Sequence, residues 1–147
     1  MPRTLAARDP RTGRRDFTFA AADSSQIGAA AARLRAAQNG WAARTIDERA
    51  SALLRLADSI ADARGAIGAA LERDTGRRRI AYLEVDGVVA SIRGWAAMAG
   101  DLAQTDSGWT QGRSRPEIVH APQLSPFPLV GVISPWNFPL TLAMIDT

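Results

Sequence analysis

The chain has 147 residues, 18 basic and 15 acidic side chains, a formal charge of +3, and a hydrophobic share of 46% against 22% charged. This length suits one ordinary domain, and this balance suits a globular chain rather than a disordered one. All the basic residues are arginine, the net charge is too small to imply a nucleic-acid partner, and with no cysteine and a single histidine, His120, the chain carries no disulfide, thiolate metal site or thiol nucleophile.

Met1 to Arg15 is rich in arginine, contains Asp9 and lacks an apolar centre. It does not read as a secretory signal, and a cytoplasmic location is the expectation. Asp9-Pro10-Arg11-Thr12-Gly13 is a turn signal, and Asp16 to Ala20 alternates polar and apolar as a short strand does. Asp23 with Gln26 three residues on resembles a capping box. The helix behind it places Ile27, Ala31, Leu34, Gln38 and Trp41 on one face, with Asn39-Gly40 as a stop.

Thr45 and Glu48 repeat the capping-box pattern. Ile46, Ala50, Leu53, Ala57, Ile60, Ile67 and Leu71 then recur at spacings of three and four with only Arg64 interrupting, which predicts one long helix ending at Thr75-Gly76. A third helix is expected with Ile80, Leu83, Val88, Ile92, Trp95 and Ala99 inward and Gly100 as its left-handed cap. Thr105 to Arg115 is polar and contains glycine, so it reads as a loop or hairpin. Pro116 to Pro122 reads as a strand near a sheet edge, because prolines bound it. Leu129-Val130-Gly131-Val132-Ile133 is apolar on both faces and predicts a fully buried strand. Leu140 to Thr147 begins a helix with Pro139 near its first turn.

Ala121 to Ile145 carries no charge and is long enough to cross a bilayer, but prolines at 122, 126, 128, 135 and 139 would each remove a backbone donor. A buried strand followed by an apolar turn fits better than a membrane span. A helical first half, then a strand, a turn and a helix start, predict an α/β domain interrupted after its first βα step. One central strand cannot make a parallel sheet, so the chain is expected to be truncated.

Several polar residues invite a functional role and have simpler ones. Arg77-Arg78-Arg79 suits phosphate, yet lacks interleaved aromatics and reads as a solvated face at a helix start. His120 reads as a strand residue facing polar surroundings rather than a base, with no carboxylate pairing evident, and Ser24 and Ser25 fit capping better than nucleophilic catalysis. Glu48 and Glu84 read as surface or capping carboxylates rather than an acid–base pair, and Glu117 is no stronger a candidate.

The turn Ser134-Pro135-Trp136-Asn137-Phe138-Pro139 is different. Two prolines fix backbone angles on either side, and Phe138, preceding proline, is pushed towards an extended conformation. Asn137 lies just before a helix start, where the dipole is positive. Its carboxamide either caps that helix, with Trp136 filling the core, or donates to a negative oxygen placed there, as an oxyanion-hole group does.

Leu129 to Pro139, LVGVISPWNFP, resembles the start of the dinucleotide-binding sheet in the NAD(P)-dependent aldehyde dehydrogenase superfamily. Asp9 to Gly13 is similar to that family's opening turn. The helix with Trp41 and Arg49, the long helix to Gly76 and the helix with Glu84 and Trp95 fall in its order. The resemblance covers nearly all of this chain but only about the first third of a typical member. It implies an α/β fold cut short, a helical layer plus the first strand of a Rossmann-type sheet. Residues 1–107 would be the helical part of the cofactor-binding domain, 108–126 strands like an oligomerisation arm, and 127–147 the first strand and helix start of the sheet.

The resemblance also implies oxidation of an aldehyde to a carboxylic acid with NAD or NADP through a cysteine thiohemiacetal. Asn137 would then be the oxyanion donor, and Ile133, Ser134, Pro135 and Trp136 would line the cofactor site. The parent enzyme would be a homo-oligomer acting on an aldehyde, with no nucleic acid, membrane or metal involved. The cysteine, the glutamate base and the glycine-containing pyrophosphate loop come later in the family, so this chain alone is expected to be inactive. The alternative is a non-catalytic interaction or oligomerisation module of the same descent.

Overall fold

In the computed structural model, residues 3–104, 110–111, 113–121 and 125–145 are described. Strands β1 (Thr4–Arg8) and β2 (Arg15–Ala20) form an antiparallel hairpin, pairing Thr4 with Ala20 and Arg8 with Arg15, with a bulge between Ala6 and Arg8. The turn between them follows from Asp9: its Oδ1 accepts from the amides of Arg11 at 2.7 Å and Thr12 at 3.3 Å, and the Gly13 amide donates to its carbonyl at 2.8 Å. Gly13 closes the turn at φ 70°, a conformation that costs glycine little. The Arg11 amide leads the interactions that hold the Asp9 carboxyl below the ordinary aspartate range. β1 lies in the segment read above only as arginine-rich. Thr-Leu-Ala-Ala-Arg has little strand preference of its own, and pairing with β2 supplies what propensity lacks.

Helix α1 (Ser24–Ala42) opens with both halves of the Asp23/Gln26 capping box. It runs past Asn39-Gly40 and buries no residue: Ile27, Leu34 and Trp41 share the expected face but stay 60%, 53% and 40% exposed. Helix α2 (Ile46–Asp62) starts on the Thr45/Glu48 box. The predicted long helix is in fact two, because Ala63 leaves helical geometry at φ −86°, ψ 6° and α3 (Arg64–Thr75) begins beside it. The break lets α3 settle on α4 (Arg78–Gln104), where Gly68 meets the Tyr82 ring and Arg64 clasps Asp86 at 2.6 and 2.8 Å. Gly76, at φ 72°, ends α3 as the sequence predicted. Arg73 and Glu72 near that end reach Asp16 and Arg11, at 3.4 and 3.9 Å, and tie the hairpin to the helices.

The core lies between α2 and α4, where Ala57 packs with Val88, Val89 and Ile92, and Leu53, Ile60, Leu140 and Met144 close its edges. Burying each such branched side chain is worth about 1.5–3 kcal/mol. The inward face of α4 differs from the prediction. Val88 and Ile92 are inside, but Ile80, Leu83 and Trp95 are exposed, and Ala81, Glu84, Val85 and Ala96 take their places. Apolar residues lie all round this helix, so size decides the inward face: small ones let α2 and α3 approach. Gly100 does not cap α4, which continues to Gln104.

The last described part departs furthest from expectation. The strand predicted over 116–122 shrinks to β4 (Val119–His120), paired antiparallel with β3 (Thr110–Gln111), because Pro116 and Glu117 form a turn and the Ile118 amide donates to Arg115 O. Pro122 lies outside the described residues. Leu129–Ile133 is not a buried strand: Val130 is 51% and Ile133 99% exposed, and no described strand offers it ladder partners. Helix α5 (Pro139–Met144) follows, with Pro139 at its start. Among the described residues no helix is long and apolar enough to cross a membrane.

Candidate functional site

The turn Ser134–Phe138 carries two exposed tips, Trp136 and Asn137, and delivers the chain into α5. Phe138 occupies the cap position at φ −141°, ψ 62°, extended at φ as a residue before proline is, and contributes no side-chain cap. Pro139 has no amide hydrogen, so the first free donors of α5 are Leu140 and Thr141. Both donate to one oxygen of Glu84, Oε1, each at 2.9 Å. The Leu142 amide then bonds the Phe138 carbonyl at 3.0 Å, completing the first turn. Asn137 is therefore not the cap of α5. A carboxylate 56 residues upstream in sequence is, and α5's first amides are already taken.

Glu84 is only 5% exposed and sits between Ala81, Val85 and Val88 on the inner face of α4. A buried carboxylate without partners would cost several kcal/mol, and here two amides at a positive helix end supply them. On the other side of the turn, Arg77 donates from one terminal nitrogen to the Asn137 carbonyl oxygen and lies 4.0 Å from the centre of the Phe138 ring. Arg77 is itself set just before α4, its amide bonded to Thr75 Oγ1 at 3.3 Å. It is thus not part of a solvated basic face. Arg78 pairs with Glu72 at 3.3 Å.

The hydrogen bonds and ring contact that hold this turn among the described residues are made by backbone or by Phe138. The Asn137 carboxamide makes no hydrogen bond within the described residues, and the residue is exposed. Of the residues suggested as cofactor wall, Ile133 is 99% and Trp136 78% exposed, Pro135 is exposed and Ser134 half-buried. The structure brings these four and Asn137 together only as neighbours along one stretch. None lines the groove of about 830 Å³ between α1, α2, α4 and α5 that is walled by Trp41, Leu53, Trp95 and Met144. Glu84 and Arg77 are the residues whose part in this turn the sequence did not show. The signal for Glu84 was a carboxylate at an inward position of an apolar helix; its partner lay too far away in sequence to be read.

The aldehyde dehydrogenase family model matches residues 2–147. The chain belongs to the aldehyde dehydrogenase family. A Mycolicibacterium smegmatis protein with the provisional name succinate-semialdehyde dehydrogenase (NADP+) is 33% identical over 139 residues, which are 92% of this chain and 26% of that protein. A solved structure provisionally described as an aldehyde dehydrogenase from Anabaena variabilis is 37% identical, with a TM-score of 0.82, covering 98% of this chain and 30% of that one. An NAD-dependent benzaldehyde dehydrogenase from Corynebacterium glutamicum, 24% identical, shares the fold at a TM-score of 0.76 over 98% of this chain and 31% of its own. The chain thus spans between a quarter and a third of the length of these aldehyde dehydrogenases. Its helices, hairpin and turn are the corresponding part of that α/β fold, and the unpaired stretch before the turn is the one place where the sheet of the predicted architecture is not formed.

Proposed function

We propose that this chain forms the cofactor-side portion of an NAD(P)-dependent aldehyde dehydrogenase and that Asn137 is its oxyanion donor. Residues 1–107 then serve as the helical part of the cofactor-binding domain, 108–126 as an oligomerisation arm in a homo-oligomer, and 127–147 as the first strand and helix start of the dinucleotide-binding sheet. The observation that carries the reading is the contrast at the turn. The backbone around Asn137 is bonded to Glu84 and Arg77, while the carboxamide is left free.

When a sulfur nucleophile attacks an aldehyde, the carbonyl oxygen takes up negative charge as the carbon becomes tetrahedral. A donor already aimed at that oxygen needs no reorganisation and lowers the barrier by roughly 3–4 kcal/mol. Asn137 is suited to this because its amide is neutral at every working pH and its backbone carbonyl is held by Arg77. The nucleophile comes from outside these 147 residues, which contain no cysteine. Alone, the chain oxidises no aldehyde. Ile133 and Trp136 offer exposed apolar surface to a flat heterocycle, and Ser134 between them in sequence adds a hydroxyl, which is why residues 133–136 suit a nicotinamide cofactor. That cofactor, when bound there, supplies the hydride acceptor.

The test is a chimera in which residues 2–147 replace the aligned part of the Anabaena protein, assayed for aldehyde-dependent formation of reduced NAD and NADP. Asn137→Ala should lower kcat by about 10²–10³ with little change in KM. A variant within twofold of its parent overturns the assignment, and aldehyde oxidation by the purified chain alone overturns its inactivity. The exposed strand β4 and the uncovered apolar side of α1 favour a second reading, a non-catalytic interaction or oligomerisation module. Self-association of the chain, together with an indifferent Asn137→Ala chimera, selects it.

A further inference from the structure

We propose that Glu84 and Arg77 are positioning residues that together lock the direction of the Asn137 turn against α4; the purpose of the lock rests on Asn137 being the oxyanion donor. The two side chains stand seven residues apart, about two helical turns, and so on one side of α4 and its approach. They hold successive points where the turn passes into α5. Arg77 holds the carbonyl of Asn137 and covers the Phe138 ring, and Glu84 holds the next two amides in the chain, Leu140 and Thr141.

What a mere helix cap requires is less than this. A serine or threonine at the Phe138 position would satisfy the same amides locally. It would leave α5 free to pivot on its own cap. Phe138 instead offers no cap bond, and the acceptor comes from a buried position on α4, packed among Ala81, Val85 and Val88. The orientation of α5 and of the turn is therefore set by α4, which is itself held by α2 and α3. The planar guanidinium of Arg77 completes the lock, since one face covers Phe138 while an edge nitrogen reaches the Asn137 carbonyl. The carboxamide stays free of these bonds, as preorganisation for a ligand demands.

The test is amide hydrogen exchange on the 147-residue chain, read at single residues by mass spectrometry, which tolerates self-association. Glu84→Ala should speed exchange at Leu140 and Thr141 by about ten- to a hundredfold, as losing a charged acceptor implies. Val88 and Ile92 should stay within about twofold of their native rates, since their local helix bonds are untouched. Glu84→Gln keeps an acceptor oxygen in place and should restore most of the protection, whereas Glu84→Asp, one methylene short, should not. Arg77→Ala should speed exchange at Leu142, which bonds Phe138, and Arg77→Lys should fail to rescue it because a lysine cannot stack and fork at once.

Unchanged exchange at Leu140 and Thr141 in Glu84→Ala overturns the proposal. So does uniform acceleration through α2 and α4 in both Glu84→Ala and Glu84→Gln, which makes Glu84 a general core residue. Asn137→Ala should alter none of these rates. The lock and the oxyanion role therefore fail separately: exchange reports the first, and turnover of the chimera reports the second.

Discussion

Gly68→Ala should destabilise the chain, against the usual preference of helices for alanine. Gly68 lies inside α3, where glycine costs about 1 kcal/mol relative to alanine. Propensity alone therefore predicts that the substitution stabilises. A Cβ at this position, however, would stand 2.4 Å from both Cδ1 and Cε1 of Tyr82 and 3.0 Å from its Cγ. These atoms belong to the near edge of a ring, not to the end of a flexible chain. The ring cannot move freely either, since the Arg64 guanidinium lies 5.3 Å from its centre and is fixed by two bonds to Asp86. Overpacking of this kind costs roughly 1–3 kcal/mol. The net effect after the propensity gain is a loss of about 0–2 kcal/mol, or up to about 8 °C in Tm for a domain of this size. The sharper measurement is a double-mutant cycle followed by urea unfolding and helical circular dichroism. In a Tyr82→Ala background the clash is gone, and the same Gly68→Ala should become stabilising by about 1 kcal/mol. If Gly68→Ala stabilises equally in both backgrounds, α3 does not rest on α4 through this glycine and the described packing is wrong.

Two further outcomes can be checked with the same apparatus. Thr45→Ala removes one half of the capping box at α2 and should cost about 1 kcal/mol, whereas Thr45→Ser should cost far less. The Asp86 carboxyl is held below the ordinary aspartate range, chiefly by its hydrogen bonds from Arg64. Its folded value being depressed, its contribution is fully present above the unfolded value of about 4 and disappears as pH falls through the lower folded one. Asp86→Asn should therefore flatten the acid limb of the unfolding midpoint against pH while leaving the Asp9 contribution, depressed for its own reason, in place. A native-like acid limb in Asp86→Asn removes the Arg64–Asp86 pair from the account of acid stability.

What could be read from sequence was what the chain settles locally. Both capping boxes, the Asp9–Gly13 turn and the Gly76 helix end involve residues within a few positions of one another, and each appears where its pattern placed it. The breaks came where distant packing decides. Ile60, Ile67 and Leu71 keep helical spacing across Ala63, so nothing in the pattern marks the bend that brings Gly68 to Tyr82. In α4, apolar residues at helical spacing lie on more than one face, and the expected face took in Leu83 and Trp95 where Ala81 and Ala96 are buried. Leu129–Ile133 has the composition of a central strand, but a strand is a relation between segments, and no described strand pairs with it. The turn itself was conspicuous because two prolines and an asparagine are adjacent. The groups that hold it were not, because Glu84 and Arg77 reach it across more than fifty residues.

The use of a buried carboxylate at this point calls for a reason beyond stability. Desolvating Glu84 on the inner face of α4 opposes folding, and the two amides it receives return little more than a hydroxyl at the cap would have gained in water. An apolar residue at position 84 with serine at 138 would spare the desolvation and give α5 a local cap. It would also make α5 and the turn before it independent of α4. The observed arrangement forgoes that local cap and fixes an angle instead, with Arg77 stacked on Phe138 to hold the remaining degree of freedom. Under the proposed oxyanion role of Asn137, the angle fixed here is the one that aims its amide.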